Sequence, residues 1–128
     1  MGLDLYITVY DDENKEIIYK HWRKNYWLLN WFEYYLSKEA NEKLQNDIPV
    51  TISINTLKIL LAECYLVKEN PFLLEDFLTP DLMIEDFDCW LFGEILYTVE
   101  QIEDIFDFCL VERNLSQYEL VFKVLVSY

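Results

Sequence analysis

Between Glu69 and Glu112 the chain has no lysine and no arginine, while thirteen aspartates and glutamates fall in the same interval. The flanks are nearly balanced: residues 1–68 hold eight basic and ten acidic side chains, and residues 113–128 hold two and one, so contributions of −2, −13 and +1 make up the net −14. A middle third without a cation has no basic footprint for nucleic acid or an anionic membrane; a field of that sign attracts basic surfaces instead. Only two glycines and three prolines occur in 128 residues. That scarcity excludes a glycine-rich phosphate loop and predicts long regular elements with short connections. There is one histidine, so no HExxH pair. The three cysteines, Cys64, Cys89 and Cys109, are odd in number and lack CxxC spacing, which excludes a disulfide framework and fits buried thiols in a reducing cytoplasm. No run approaches the roughly 18 apolar residues of a membrane span. Met1 leads into Gly2-Leu3-Asp4 without a basic and apolar leader, and Tyr6 stands where a myristoylation motif needs Ser or Thr.

What is present is a core-forming composition. The chain is 53% hydrophobic and 17% aromatic, unlike a disordered acidic tail, so the charge asymmetry sits on a folded surface. One domain spanning residues 1–128 is expected. Leu3 to Tyr10 alternates as a strand, Asp11-Asp12-Glu13-Asn14 is a polar turn, and Glu16 to Lys20 reads as the returning strand. From Trp22 to about Ala40 the period becomes helical, with Trp27, Trp31, Tyr34 and Tyr35 at i, i+4, i+7 and i+8. Val50-Thr51-Ile52 is a short strand. Ser53 or Asn55 caps a helix running to about Lys68, and Asn70-Pro71 ends it. Phe72 to Leu78 reads as a helical turn or two, and residues 81–92 as strand or irregular chain. Thr98 with Gln101 fits a capping box that opens a helix to about Glu112. Tyr118 to Tyr128 is β-branched and aromatic and belongs inside a sheet. The order predicts an α+β domain: an antiparallel sheet of three to four strands covered by three or so helices.

Several short pieces resemble a group of small phage and prophage proteins that begin MGLDMYL. They are Met1-Gly2-Leu3-Asp4-Leu5-Tyr6, the run Tyr19-Lys20-His21-Trp22-Arg23-Lys24, then Trp31-Phe32, Phe92-Gly93, Tyr97-Thr98 and a terminal strand ending in Ser127 and an aromatic. Their order holds over nearly the full length. The resemblance implies a phage accessory gene product and no particular activity. The group typically carries an Asn and a His between its Trp-Arg-Lys and Trp-Phe pairs; here Tyr26 and Leu29 stand there, so any chemistry resting on that pair is lost.

The helix after Thr98 carries the cleanest charge pattern. At about 100° per residue, Glu100, Glu103, Asp104 and Asp107 share one arc, and Val99, Ile102, Ile105, Phe106, Phe108, Cys109 and Leu110 fill the rest. This predicts a purely negative stripe of about 3.5 Å per charge, near the phosphate spacing of a DNA strand. With Asp76, Asp81, Glu85, Asp86, Asp88 and Glu94, these residues make up the expected partner-binding surface. Against this, any solvated acidic helix has such spacing, although ordinary solvated faces interleave Lys and Arg. Glu75, Asp76, Asp81, Glu85, Asp86 and Asp88 offer oxygen ligands for a hard cation, but no D-x-D-x-D-G loop frames them, and no metal or cofactor is expected. His21 reads as a surface residue at a strand–helix junction rather than a general base, and no nucleophile motif accompanies it. The aromatic helix from Trp22 to Leu36 carries more large side chains than one buried stripe holds, which fits either a core helix with tyrosines at its rim or a homodimer seam.

Together these features predict a non-enzymatic, acidic, phage-derived cytoplasmic protein. Its surface would block a basic, nucleic-acid-binding site on a host or defence protein, as a DNA mimic or anti-CRISPR-like inhibitor does, without binding nucleic acid or membrane itself. The alternative is a structural or oligomeric phage accessory protein whose charge serves solubility.

Overall fold

In a computed structural model of the protein, residues 2–39, 41–73 and 89–128 are described. Among the described residues, four strands and three helices follow in the order β1 (Asp4–Tyr10), β2 (Glu16–Arg23), α1 (Tyr26–Glu39), β3 (Val50–Ile52), α2 (Ile54–Glu69), α3 (Cys89–Phe106) and β4 (Val121–Ser127). The same residues also form short 3-10 turns at Pro71–Leu73 and Gln117–Glu119 and a π-helical continuation of α3 over Asp107–Glu112. The sheet order is β2-β1-β4-β3 with every pair antiparallel. This is the α+β arrangement that the pattern predicts, with the first and last strands paired at the centre.

Alternation decides which face is covered. Leu5, Ile7, Val9 and Val124 are fully buried and point to the helices, whereas Tyr6, Thr8, Lys123 and Leu125 on the other face are half-buried. The hairpin closes on Asp11, whose Oδ1 accepts from the Glu13 and Lys15 amides at 2.9 and 2.8 Å, with Asn14 in the left-handed region at φ 63°. Ser53 caps α2 by accepting from the Thr56 amide at 3.2 Å. α2 packs on α3, and α1 ties to α2 where Trp31 Nε1 donates to Glu63 Oε2 at 2.6 Å.

Several boundaries differ from expectation, and the strand expected from Tyr118 begins only at Val121, because Gln117–Glu119 form a 3-10 turn capped by Ser116. Trp22 does not open the aromatic helix; it lies in β2 opposite Leu5, 1% exposed, because the alternation continues to Arg23. Asn25 opens the helix instead, its Oδ1 accepting from the Leu28 amide at 3.1 Å. Thr98 does not cap a helix either. It sits in the tenth position of α3, fully buried, with its hydroxyl donating to the Glu94 carbonyl at 2.9 Å and accepting from Trp22 Nε1 at 3.0 Å. Residues 89–92, read from sequence as strand or irregular, are helical; the rest of that stretch and most of the turn expected at Phe72 to Leu78 lie outside the described residues.

Cys64 and Cys109 are buried and unbridged. Burial pushes the Cys64 thiol far above the ordinary range, and it raises Cys109 too despite Arg113 nearby. Among the described residues, no helix is long and apolar enough to cross a membrane.

Candidate functional site

The acidic arc of α3 forms one wall of an open groove of about 690 Å³, lined by Glu100, Glu103, Asp104 and Asp107 with Leu96, Val99 and Gln101. The apolar stripe Leu91, Ile95, Val99, Ile102, Ile105 and Cys109 is buried, which leaves the acids facing outward. Glu100, Asp104 and Asp107 are exposed, and Glu103 is half-buried.

The groove is not purely negative. Lys20 reaches it from β2 and Lys68 from α2. Lys20 Nζ pairs with Asp104 Oδ2, the lysine largely covered and the aspartate exposed. Half of that pair is in water, so it contributes about 0–1 kcal/mol. The Tyr65 hydroxyl donates to Glu103 Oε1, and that bond, with burial and the carboxylate charge, raises the phenol above its ordinary range. Four carboxylates against two ammonium groups leave a net charge of −2 along the groove, where the stripe alone gives −4. Glu100 and Asp107 have no ion-pair or hydrogen-bond partner among the described residues. A signal for Lys20 was in the sequence: it shares the inward phase of β2 with Ile18 and Trp22, so its amine needs a counter-charge from the helix layer.

Glu94 does not belong to this surface. It projects to a different side of α3, half-buried, where its Oε2 accepts from Asn25 Nδ2 at 3.0 Å. Burial raises its carboxyl above the ordinary range against the opposing effect of that hydrogen bond. The Asn25 side chain thus caps α1 with its oxygen and holds α3 with its nitrogen. Asp76, Asp81, Glu85, Asp86 and Asp88, and Glu75 of the weighed cation cluster, lie outside the described residues. Among the described residues no group of three or more His, Cys, Asp or Glu is placed to hold a metal ion.

A second polar cluster was missed from sequence. His21 lies within β2 rather than at its end, its Nε2 2.7 Å from Asp4 Oδ1 and its ring stacked on Tyr6 at 4.5 Å between centroids. It borders a shallow hollow of about 430 Å³ with Trp22, Arg23, Glu94 and Tyr97, and the Tyr97 hydroxyl donates to the His21 carbonyl at 2.9 Å. An Asp–His pair fixes the imidazole tautomer. Here it also knits β1 to β2 across the open face, while Tyr97 covers the outer backbone edge of β2.

Comparison with family models, with curated proteins and with solved structures gave no match.

Proposed function

We propose that this protein is a non-enzymatic binding protein whose α3 groove occupies a basic, nucleic-acid-binding surface on a host or defence protein. The observation that carries this reading is the pair Glu100 and Asp107: exposed, without a partner among the described residues, and about two helical turns apart along one groove wall. Free carboxylates held on a helix at that spacing can take up cations that otherwise meet phosphates. The internal pairs steady the wall, since Lys20 and Tyr65 hold Asp104 and Glu103 in place. The thirteen acids between Glu69 and Glu112 add a long-range field that speeds encounter with a basic partner. The likeness of Met1–Tyr6 and Tyr19–Lys24 to phage proteins supports a partner in the infected host.

A second reading keeps the protein as an accessory component whose charge serves solubility. The pairing of Asp104 and Glu103 within the molecule favours it, since two of the four groove carboxylates are already engaged.

The test is capture from host lysate by tagged protein and by the Glu100→Lys/Asp107→Lys variant. Both positions are exposed, so the fold is expected to survive. The proposal expects a basic protein held by the native chain, lost with the variant and released as salt rises. Equal capture by both forms contradicts it.

A further inference from the structure

The hollow between β2 and α3 lies apart from the acidic groove and carries two opposite charges that do not meet. Its walls are His21, Trp22 and Arg23 of β2 and Glu94 and Tyr97 of α3, around a volume of about 430 Å³. Arg23 is exposed and forms no ion pair among the described residues. His21, also on the hollow, is already taken by Asp4. Glu94 is half-buried, and Asn25 holds only one of its carboxyl oxygens, Oε2, at 3.0 Å. The other, Oε1, has no partner among the described residues. Burial raises this carboxyl above its ordinary range, as expected for an anion stripped of water with no cation in its place.

We infer that this hollow binds a free α-amino acid with an aromatic side chain, its carboxylate set against Arg23, its ammonium against Glu94 and its ring against Tyr97. Charge selects the class. A chain of net −14 repels a plain anion, and a plain cation finds carboxylates over much of the surface. A zwitterion has no net charge to be repelled, and it answers a guanidinium and a carboxylate lining one hollow. Preorganisation favours the site. Asn25 is 0% exposed, and its Oδ1 is fixed by the Leu28 amide at 3.1 Å, so its Nδ2 holds Glu94 in place before any ligand arrives. The third element is Tyr97, 40% exposed. Its hydroxyl is spent on the His21 carbonyl at 2.9 Å, and its ring stands edge-on to Trp22 at 6.1 Å between centroids. What it offers a ligand is therefore ring surface, which an aromatic side chain covers best. The volume is that of a small-molecule site.

The inference is independent of the acidic groove. Its test is a heteronuclear NMR titration of the full chain with phenylalanine, phenylalaninamide, which lacks the carboxylate, and N-acetylphenylalanine, which lacks the ammonium. Phenylalanine should move the amide signals of Arg23, Glu94 and Tyr97, with a Kd on the order of 1 mM for so open a site. Arg23→Gln should weaken phenylalanine roughly tenfold and leave phenylalaninamide unchanged. Glu94→Gln, whose amide oxygen still accepts from Asn25, should weaken phenylalanine similarly and leave N-acetylphenylalanine unchanged. Both variants keep the fold, since Arg23 is exposed and glutamine preserves the Asn25 contact. Glu100→Lys/Asp107→Lys should bind phenylalanine as the native chain does. No movement of the three signals up to about 10 mM phenylalanine, losses from the two variants that are equal for phenylalanine and its analogues, or binding abolished by the groove variant would each overturn the proposal.

Discussion

Replacing Thr98 by aspartate separates two accounts of α3 that agree on almost everything else. If Thr98 were the N-cap that the Thr98/Gln101 pair suggests, aspartate would serve at least as well, and stability would stay within about 0.5 kcal/mol. In the structure Thr98 is 0% exposed, about two turns or more inside the helix from either end. Its hydroxyl is the acceptor for the buried Trp22 Nε1 and a donor to the Glu94 carbonyl. A carboxylate there keeps the first bond, loses the second, and sets negative charge against a carbonyl oxygen in a site closed to water. Burial of that kind raises a carboxyl pKa by about 3 units or more, and at about 1.36 kcal/mol per unit the folded state loses roughly 4 kcal/mol at neutral pH. That is about a quarter or more of the stability of an ordinary domain. Because the folded-state pKa would be raised, the loss should shrink as pH falls towards the unfolded value near 4. Thr98→Val gives an intermediate case: the shape is kept and the Trp22 N–H is orphaned, at about 1–3 kcal/mol. Urea unfolding at pH 7.5 reads these costs as a lower midpoint at unchanged slope. An aspartate variant within 1 kcal/mol of the native protein would refute the buried position of Thr98.

Two further outcomes follow from buried titratable groups. Burial raises both Glu63 and Glu94, so the stability linked to them is fully present below the ordinary glutamate pKa and lost as pH rises through their raised values. Glu94→Gln, whose amide oxygen still accepts from Asn25, should therefore be the more stable protein at pH 7.5 and lose less stability between about pH 4.5 and 7.5; an unchanged pH slope on calorimetry would show that Glu94 is not desolvated. Cys64, fully buried with its thiol pushed far up, should react with a thiol reagent only as fast as the protein opens, so fast labelling of native protein would contradict its placement.

Strand identity was legible in the sequence because period-two alternation survives local noise: Leu5, Ile7 and Val9 and then Phe122, Val124 and Val126 declare one buried face each. The cap of α2 was legible to within two residues: Ser53 and Asn55 both offer a local capping oxygen, and the helix starts at Ile54, after Ser53. The start of α3 was not. Leu91, Ile95, Val99, Ile102, Ile105 and Cys109 form one buried stripe in retrospect, but the acids and aromatics around residue 90 obscure its first turn, and Thr98 imitates a cap while packing on Trp22. The acidic arc from Glu100 to Asp107 was placed correctly on one side of the helix, because helical period alone determines that. The inward phase of Lys20 on β2 calls for a counter-charge but does not say which, and Lys20 and Tyr65 come from elements 84 and 38 residues away from the carboxylates they meet. No local pattern in a single sequence encodes a contact at that separation.

The central claim is that the α3 groove stands in for nucleic acid on a basic surface, and displacement of DNA tests it most directly. A partner captured by the native chain is loaded with labelled duplex DNA, and the protein is titrated in while DNA release is followed by fluorescence anisotropy. The account predicts complete release by the native chain, weaker competition as salt rises, and none by Glu100→Lys/Asp107→Lys. Partner and DNA bound together without competition, or release by the variant as efficient as by the native protein, would contradict it.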